Sequence, residues 1–449
     1  MKKGLKIKRS ISSRTYNFEK ENSRSYVIDD ELFYYYMFEG VSSDVWRMIL
    51  HLENYDEVRN YVESKNLGFE LDDFIKKLDD EGFFVSSEKK NNLNLFFKSS
   101  FNEQETKKEE EYEKEMSSWL YSNGFLKALT IQTNYHCNLQ CIHCFNDKTK
   151  NDLFLNFEQA KDIIDQAYEQ GITLIAFTGG ECTLNPDFLD IISYVKSKRL
   201  AFSFNTNGLR LACDKEFFDK VVELHPHEIK ISLYSMDEEI HDSITGQRGS
   251  FHKTASSVIE LRKKNIRVTL TDILLQPNFQ SWKDVMIFSK EVGCAINICS
   301  QFILNPANNN CHLRLTSSQL EMLYKDKDYP KSVYNKSITG GYILQDERAV
   351  CVAGYEVLAV NPMLEVVPCN DFDYVLGDLK KTSLKEIWEK SVPKFREKFK
   401  NKFLDCREEE YCKYCSYCPA TASIEGGFMH KSKMSCEVAK VYYNCYQKI

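Results

Sequence analysis

Between Leu126 and about Tyr324, short runs rich in β-branched and apolar residues alternate with longer stretches in which apolar positions recur every three to four residues. The runs LKALTIQT, TLIAFTGG, AFSFNTNG, EIKISLYS, RVTLTDILL and AINICSQFIL predict strands. Between them NFEQAKDIIDQAYEQG, NPDFLDIISYVKSK, DKEFFDKVVEL, SFHKTASSVIELRKKN and WKDVMIFSKEVG predict amphipathic helices, several closed by the Gly or Asn of a C-cap. Six strand–helix repeats imply parallel strands joined by right-handed crossovers. The fold class is therefore α/β, a partial (β/α)6 barrel, with functional groups where strands end and loops begin.

Ahead of the barrel, residues 25 to 85 read as a compact module. SYVIDD and LFYYYMF predict two strands; SSDVWRMILHL, DEVRNYVESKN and ELDDFIKKLDDEGFF predict three helices, the first capped by Ser42 or Ser43. That order is winged-helix-like. Its bland reading is a DNA-binding helix-turn-helix, but the module holds fifteen acidic residues against five basic ones, the wrong sign for a duplex. A strand edge that holds a peptide by main-chain hydrogen bonds needs no basic face. The charged segment NEQETKKEEEYEKEM, Asn102 to Met116, predicts a solvated helix or linker. The expected organisation is a recognition module over 1–95, a charged linker over 96–122, the barrel over 123–330 and a cysteine-rich domain over 331–449.

Composition narrows the class. The chain has 449 residues, 43% hydrophobic, with net charge -7, which asks for neither nucleic acid nor anionic lipid. No apolar h-region follows the basic N-terminus, and no run approaches the roughly 18 apolar residues of a bilayer span, so a cytoplasmic protein is expected. The 16 cysteines change the picture most, because clustered thiols in a reducing compartment are metal ligands or catalytic groups more often than disulfides. Five are scattered (Cys182, Cys213, Cys294, Cys299, Cys311) and read as small buried hydrophobes. Eleven are grouped.

The first group, TNYHCNLQCIHCF, spaces Cys137, Cys141 and Cys144 as C-x3-C-x2-C just after the first barrel strand. A structural zinc would want four ligands, and His143 or His136 could supply the fourth. Three thiolates suit instead a 4Fe-4S cluster whose fourth iron keeps an open position. At the end of the second strand stands FTGGEC, where Gly179 and Gly180 allow close backbone approach and Glu181 offers a carboxylate.

The triad, TGGE, NTNG (Asn205 to Gly208) and ISLYS (Ile231 to Ser235), one per strand in this order, resemble the radical S-adenosylmethionine superfamily. The resemblance implies that the open iron binds the amino and carboxylate groups of S-adenosylmethionine. It also implies that Glu181 and the glycine turn hold the amino end, that Asn205 belongs to the cofactor site, and that Ser232 lies at the ribose. Cys182 stands where Pro commonly follows the Glu, and His143 where an aromatic often precedes the last Cys. The later cysteines resemble the SPASM extension of peptide-modifying members, which holds one or two auxiliary 4Fe-4S clusters. On that pattern Cys351 and Cys369 belong to the first, Cys406, Cys412 and Cys436 to the second, and Cys415 and Cys418 are divided between them. Leu364 replaces the usual Gly before Cys369, the Cys expected shortly before Cys406 is absent, and Cys445 falls outside the pattern. Read from spacing alone, one or two structural zincs remain the alternative. HDSITGQRGSFHKT, His241 to Thr254, resembles a loop of peptide-maturing members; otherwise it is a surface turn.

The whole order resembles ribosomal-peptide maturases, most closely the subtilosin-type thioether-forming group, with an N-terminal precursor-recognition module. That implies a precursor peptide bound through its leader, an electron donor such as a flavodoxin or ferredoxin, and a thioether or other crosslink as product. Asp371, two residues past Cys369, is the candidate general base. Two other readings are maturation of an active-site Cys or Ser in a folded protein such as a sulfatase, and an iron-sulfur redox sensor that binds DNA.

Overall fold

The computed structural model describes residues 5–16, 23–30, 34–85, 103–146, 152–301, 310–329, 351–400, 409–415, 417–427 and 430–446. Three antiparallel strands in the order β1-β2-β3 open the chain: β1 (Ile11–Tyr16), β2 (Arg24–Asp29) and β3 (Tyr34–Glu39). Sequence pattern anticipates two of them. It misses β1 because Ser12 and Ser13 are buried there, so polar residues occupy both faces and hide the alternation. Helices α1 (Val41–Leu52), α2 (Tyr55–Ser64) and α3 (Leu71–Asp80) cover one face of this sheet, around Val27, Trp46, Ile49, Val58, Ile75 and Phe83. Helix α1 opens with Gly40 as N-cap rather than Ser42 or Ser43. The Ser43 hydroxyl is spent instead on Ser25, 2.8 Å away beneath the helix.

The charged segment is helical, α4 (Glu103–Ser122), but its last turns are not solvated. Met116 and Leu120 bury against Tyr16 and Tyr26 on the sheet's second face. The alternation of charged residues ahead of them conceals this short apolar stripe.

All six barrel strands appear where the pattern places them: β4 (Ala128–Gln132), β5 (Leu174–Thr178), β6 (Ala201–Thr206), β7 (Glu228–Ser232), β8 (Val268–Ile273) and β9 (Ala295–Cys299), parallel and in chain order. Crossovers are made by α5 (Phe157–Glu169), α6 (Phe188–Ser197), α7 (Leu209–Cys213), α8 (Lys215–Glu223), α9 (Glu238–Thr245), α10 (Ser250–Lys263) and α11 (Trp282–Glu291), and α12 (Ser317–Lys325) follows the last strand. Ile131, Phe177, Phe204, Ile231 and Leu270 pack toward the helices in one core. Their neighbours along each strand therefore face the barrel interior.

The sheet does not stop at six strands. β10 (Val357–Val360) pairs parallel with β4, and β11 (Glu365–Val367) and β12 (Gly377–Asp378) extend it antiparallel to nine. The cysteine-rich segment is thus built onto the barrel's first edge. At the β10–β11 turn Leu364 has φ 66°, a left-handed conformation that strains a branched side chain, which accounts for the Gly usual there. A helix interrupted by a π-turn at Ile387–Ser391 leads into α13 (Val392–Lys400); α14 (Pro419–Glu425) and α15 (Lys433–Tyr446) follow. Among the scattered cysteines, Cys182 and Cys294 are buried as expected, but Cys213 and Cys311 are exposed. Short loops and helix ends, rather than core, receive these two. Among the described residues no helix is long and apolar enough to cross a membrane.

The N-terminal module docks through β1 on the N-terminal ends of β5 to β7. Ser13 N–H donates to the Arg199 carbonyl at 2.7 Å, Arg14 and Tyr16 donate to the Tyr168 and Gly171 carbonyls, and Arg14 lies 3.8 Å over the Tyr168 ring. At the centre Asp30, fully buried, meets Lys196 Nζ at 2.8 Å, His227 Nδ1 at 3.0 Å and the Ser12 hydroxyl at 2.6 Å.

Candidate active site

The triad loop leaves β4 at the opposite, C-terminal end of the barrel. Its entry is pinned to the exit of β5: Thr133 N–H donates to the Thr178 carbonyl, Gly180 N–H to Asn134 (2.9 Å) and Glu181 N–H to His136 (2.7 Å). Its middle is strapped to the end of α9, Gln140 N–H donating to the Thr245 carbonyl and Ile142 N–H to Ile244. Cys137, Cys141 and Cys144 are each partly exposed on this loop. HDSITGQRGSFHKT therefore has a use beyond a surface turn. Its first half ends α9 under the triad loop, and Asp242 caps α10 by accepting from Phe251 N–H at 2.9 Å and the Ser250 hydroxyl at 2.8 Å.

The glycines approach protein backbone. A Cβ on Gly180 would stand 2.2 Å from the His136 carbonyl oxygen and one on Gly179 would stand 2.3 Å from that of Asn134. Gly180→Ala should consequently push the triad loop outward. We expect iron incorporation at the first cluster to fall several-fold with the later clusters retained, read as iron per chain after anaerobic reconstitution; unchanged iron content would refute the clash.

Glu181 is 2% exposed, and its carboxylate accepts from the Thr183 hydroxyl at 2.7 Å, the Thr206 hydroxyl at 2.8 Å and Asn207 N–H at 2.7 Å. Burial raises its pKa against these donors. These bonds tie the NTNG turn to the glycine turn and hold Glu181 between them. Thr254 and Ser257 of α10 donate to the Asn207 and Gly208 carbonyls and complete the brace. Asn205 is exposed and Ser232 half-buried, both on the interior face. Asn205 stands beside Lys230 and Lys230 beside Thr269, with Ser232, Thr271 and Asn297 one step nearer the mouth. This interior is lined by polar and small side chains.

Two substituted positions resolve simply. Cys182 is buried, donates to the Asn205 carbonyl at 3.2 Å and has its thiol pKa pushed well up by burial, so it stays a neutral core thiol. His143 supplies the aromatic contact itself, edge-on to Tyr234 at 4.9 Å.

In the cysteine-rich segment, Cys369 and Cys418 both pack at the edge of the main core, and burial raises the thiol pKa of Cys351 and Cys369. Asp371 is half-buried, bonded by the Asn370 amide at 2.6 Å, and burial pushes its pKa up to about 6. Gln132, the last residue of β4, donates to the Asn370 carbonyl at 3.1 Å, which ties the segment carrying Asp371 to the exit of β4. The turn carrying Cys412 and Cys415 packs against α15, which carries Cys436, through Tyr414 and Tyr442 rings 5.5 Å apart. Cys406 lies outside the described residues. Cys445 is buried in an apolar cluster with Tyr442 and Leu323.

Among the described residues no group of three or more Cys, His, Asp or Glu side chains is arranged to hold a metal ion as placed, so the kind of metal is read from donor chemistry. A soft, all-sulfur triad on a partly exposed loop fits an iron-sulfur cluster with an open position.

Residues 131–288 match the Radical SAM superfamily, and residues 351–419 match SPASM, an iron-sulfur cluster-binding domain. The chain is 25% identical over 319 residues to the antilisterial bacteriocin subtilosin biosynthesis protein AlbA of Bacillus subtilis, covering 66% of this chain and 68% of that one. It is 25% identical over 322 residues to the mycofactocin maturase MftC of Mycobacterium tuberculosis, covering 67% and 78%. In three dimensions it is similar to Streptococcus suis SuiB bound to precursor peptide SuiA, with TM-score 0.56 and 14% identity over 96% of this chain and 99% of that one. A second fold relative is anSMEcpe with bound AdoMet and Cp18Cys peptide, TM-score 0.56, 15% identity, covering 72% and 97%.

Proposed function

Carrying a radical SAM domain and a SPASM domain in one chain, this protein is a radical S-adenosylmethionine enzyme, and we propose that it matures a ribosomally made precursor peptide. The observation that carries this reading is the triad loop, braced at the mouth of a polar-lined barrel and backed by a second group of thiols on the same sheet. When bound, the cluster and S-adenosylmethionine supply a 5'-deoxyadenosyl radical that takes hydrogen from the substrate.

The chain's own residues then divide the work. Cys137, Cys141 and Cys144 hold the first cluster, with the Gly179–Gly180 turn, Asn205 and Ser232 around the nucleotide. Glu181 keeps two of these turns in register. Cys351, Cys369 and Cys418 hold one auxiliary cluster, and Cys412, Cys415 and Cys436 belong to a second, with Cys406 assigned to it from sequence. Asp371 would accept a proton from the substrate as the new bond closes, and an auxiliary cluster, when bound, would supply the acceptor for the one electron left over. The precursor's leader adds to the outer strand β3 of the N-terminal module, and a flavodoxin or ferredoxin in the cytoplasm supplies electrons. A thioether crosslink is the favoured product, by similarity to the subtilosin protein.

Reconstitution with iron and sulfide should bring about eight or more irons per chain, and dithionite with S-adenosylmethionine should release 5'-deoxyadenosine. Well under eight irons removes the multi-cluster assignment; no 5'-deoxyadenosine removes the radical one. Cys412→Ala is expected to spare that cleavage while stopping crosslink formation, measured by mass spectrometry of a precursor peptide that the wild type crosslinks.

A further inference from the structure

Lys230 stands in the middle of β7, paired with Asn205 of β6 on one side and Thr269 of β8 on the other. Its chain neighbours Ile229 and Ile231 are fully buried in the core under the helices, so Lys230 takes the opposite face. Strands flank β7 on both sides and helices back it, yet the Lys230 side chain is 46% exposed. Asn205, one strand over, is exposed as well. Accessible side chains at the centre of a sheet mean an open space inside the barrel, and Lys230 reaches into it. Among the interior-facing residues of β4 to β9, Lys230 is the one cation and Glu228 the one anion. The ammonium is not spent on the protein. It donates no hydrogen bond among the described residues, and its ion-pair partner, Glu228 Oε2, is 3.5 Å away. Glu228 has a partner of its own in the Thr269 hydroxyl, which donates to Oε1.

We propose that Lys230 binds a carboxylate of the precursor peptide and so selects the residue presented to the radical. Ser232, assigned above to the ribose, lies two residues nearer the mouth on the same face, about 7 Å along the strand. The triad loop, whose open iron would take the methionine end of the cofactor, leaves β4, three strands away. The lysine therefore lies beneath the nucleoside and apart from the cofactor's own carboxylate. Charge-assisted hydrogen bonds from an ammonium to a carboxylate are strong, and more so in a confined space than at an open surface. Glu228 limits the charge the site accepts, favouring a single carboxylate over a doubly charged group. The inference rests on the maturase reading and on Ser232 facing the ribose.

The test uses the full chain, reconstituted anaerobically, with a precursor peptide that the wild type modifies, and reads product formed per 5'-deoxyadenosine released. Lys230→Met should lower that ratio about tenfold, the loss of a hydrogen bond to a charged group, with iron per chain and the KM for S-adenosylmethionine unchanged. Lys230→Arg should retain most of the ratio. Peptides with each Asp or Glu changed in turn to Asn or Gln, and one with an amidated C-terminus, are given to the unaltered wild type. One of them should show the same fall and should lose nothing further on Lys230→Met; its identity tells a side-chain carboxylate from the chain end. An unchanged ratio in Lys230→Met would overturn the proposal. So would a KM for S-adenosylmethionine that rises with the loss, because the carboxylate would then be the cofactor's. If no altered peptide shows the fall on the wild type, the proposal fails whatever the fate of Lys230→Met. A wild type that releases no 5'-deoxyadenosine would overturn the radical reading instead.

Discussion

Alanine at Cys137, Cys141 or Cys144 is expected to lower iron by about four per chain and to leave no 5'-deoxyadenosine above background. The loop offers these three thiols and no spare. Cys182, the nearest further cysteine in sequence, is buried and committed to the Asn205 carbonyl. His143 is buried against Tyr234, and burial keeps it neutral. Losing one thiolate therefore leaves two and cannot be repaired by a neighbour. The folded barrel should survive, because the loop is pinned by backbone bonds from Thr133, Gly180, Glu181, Gln140 and Ile142 that no cysteine side chain makes. Far-UV circular dichroism should match wild type. Residual cleavage near the wild-type rate in any of the three would show that the cluster is held elsewhere.

The largest effect on stability is expected from Asp30→Ala. Removing the carboxylate leaves Lys196, 6% exposed, without its buried counter-charge, a change that costs about 3–5 kcal/mol. The loss falls on the docking of the module against the barrel, so limited proteolysis should cut around it far faster than in wild type. Asp30→Leu with Lys196→Met, which removes both charges, should recover much of the resistance. Equal cleavage of Asp30→Ala and wild type would show that the pair holds nothing. The same contact predicts a pH response. Burial pushes the Asp30 carboxyl up, but Lys196 and His227 outweigh it and hold the pKa at about 2. A carboxyl held below its unfolded value of about 3.9 contributes stability that is complete above about pH 4 and disappears as pH falls toward 2. For this residue that is about 2–3 kcal/mol. In the Asp30→Leu, Lys196→Met protein this part of the acid response should be missing.

Barrel and triad were legible from sequence because each rests on a local signal. Period-two strands between period-3.6 helices mark a parallel sheet, and three closely spaced cysteines need no tertiary knowledge to be grouped. What escaped depends on partners distant in the chain. Strand β1 was hidden because Ser12 is satisfied by Asp30, and α4 looked solvated because the residues it covers, Tyr16 and Tyr26, lie far upstream. Pairing of β10 with β4 joins residues more than two hundred positions apart and leaves no mark on either segment. Glu181 is legible as a site residue from its motif, but the bonds that tie it to Thr183, Thr206 and Asn207 join segments that only the fold brings together.

The docking of the N-terminal module on the rim opposite the cysteines has a consequence for the substrate. β4 has five residues, so at about 3.3 Å per residue the two rims are separated by roughly 17 Å before the width of the module is added. A leader held at β3, as proposed, would therefore act as a tether. Segments too short to round the barrel see a local concentration of zero at the mouth, and those just long enough see the highest. Which residue of a precursor is modified would then be chosen first by its distance along the chain from the leader, and only afterwards by its chemistry.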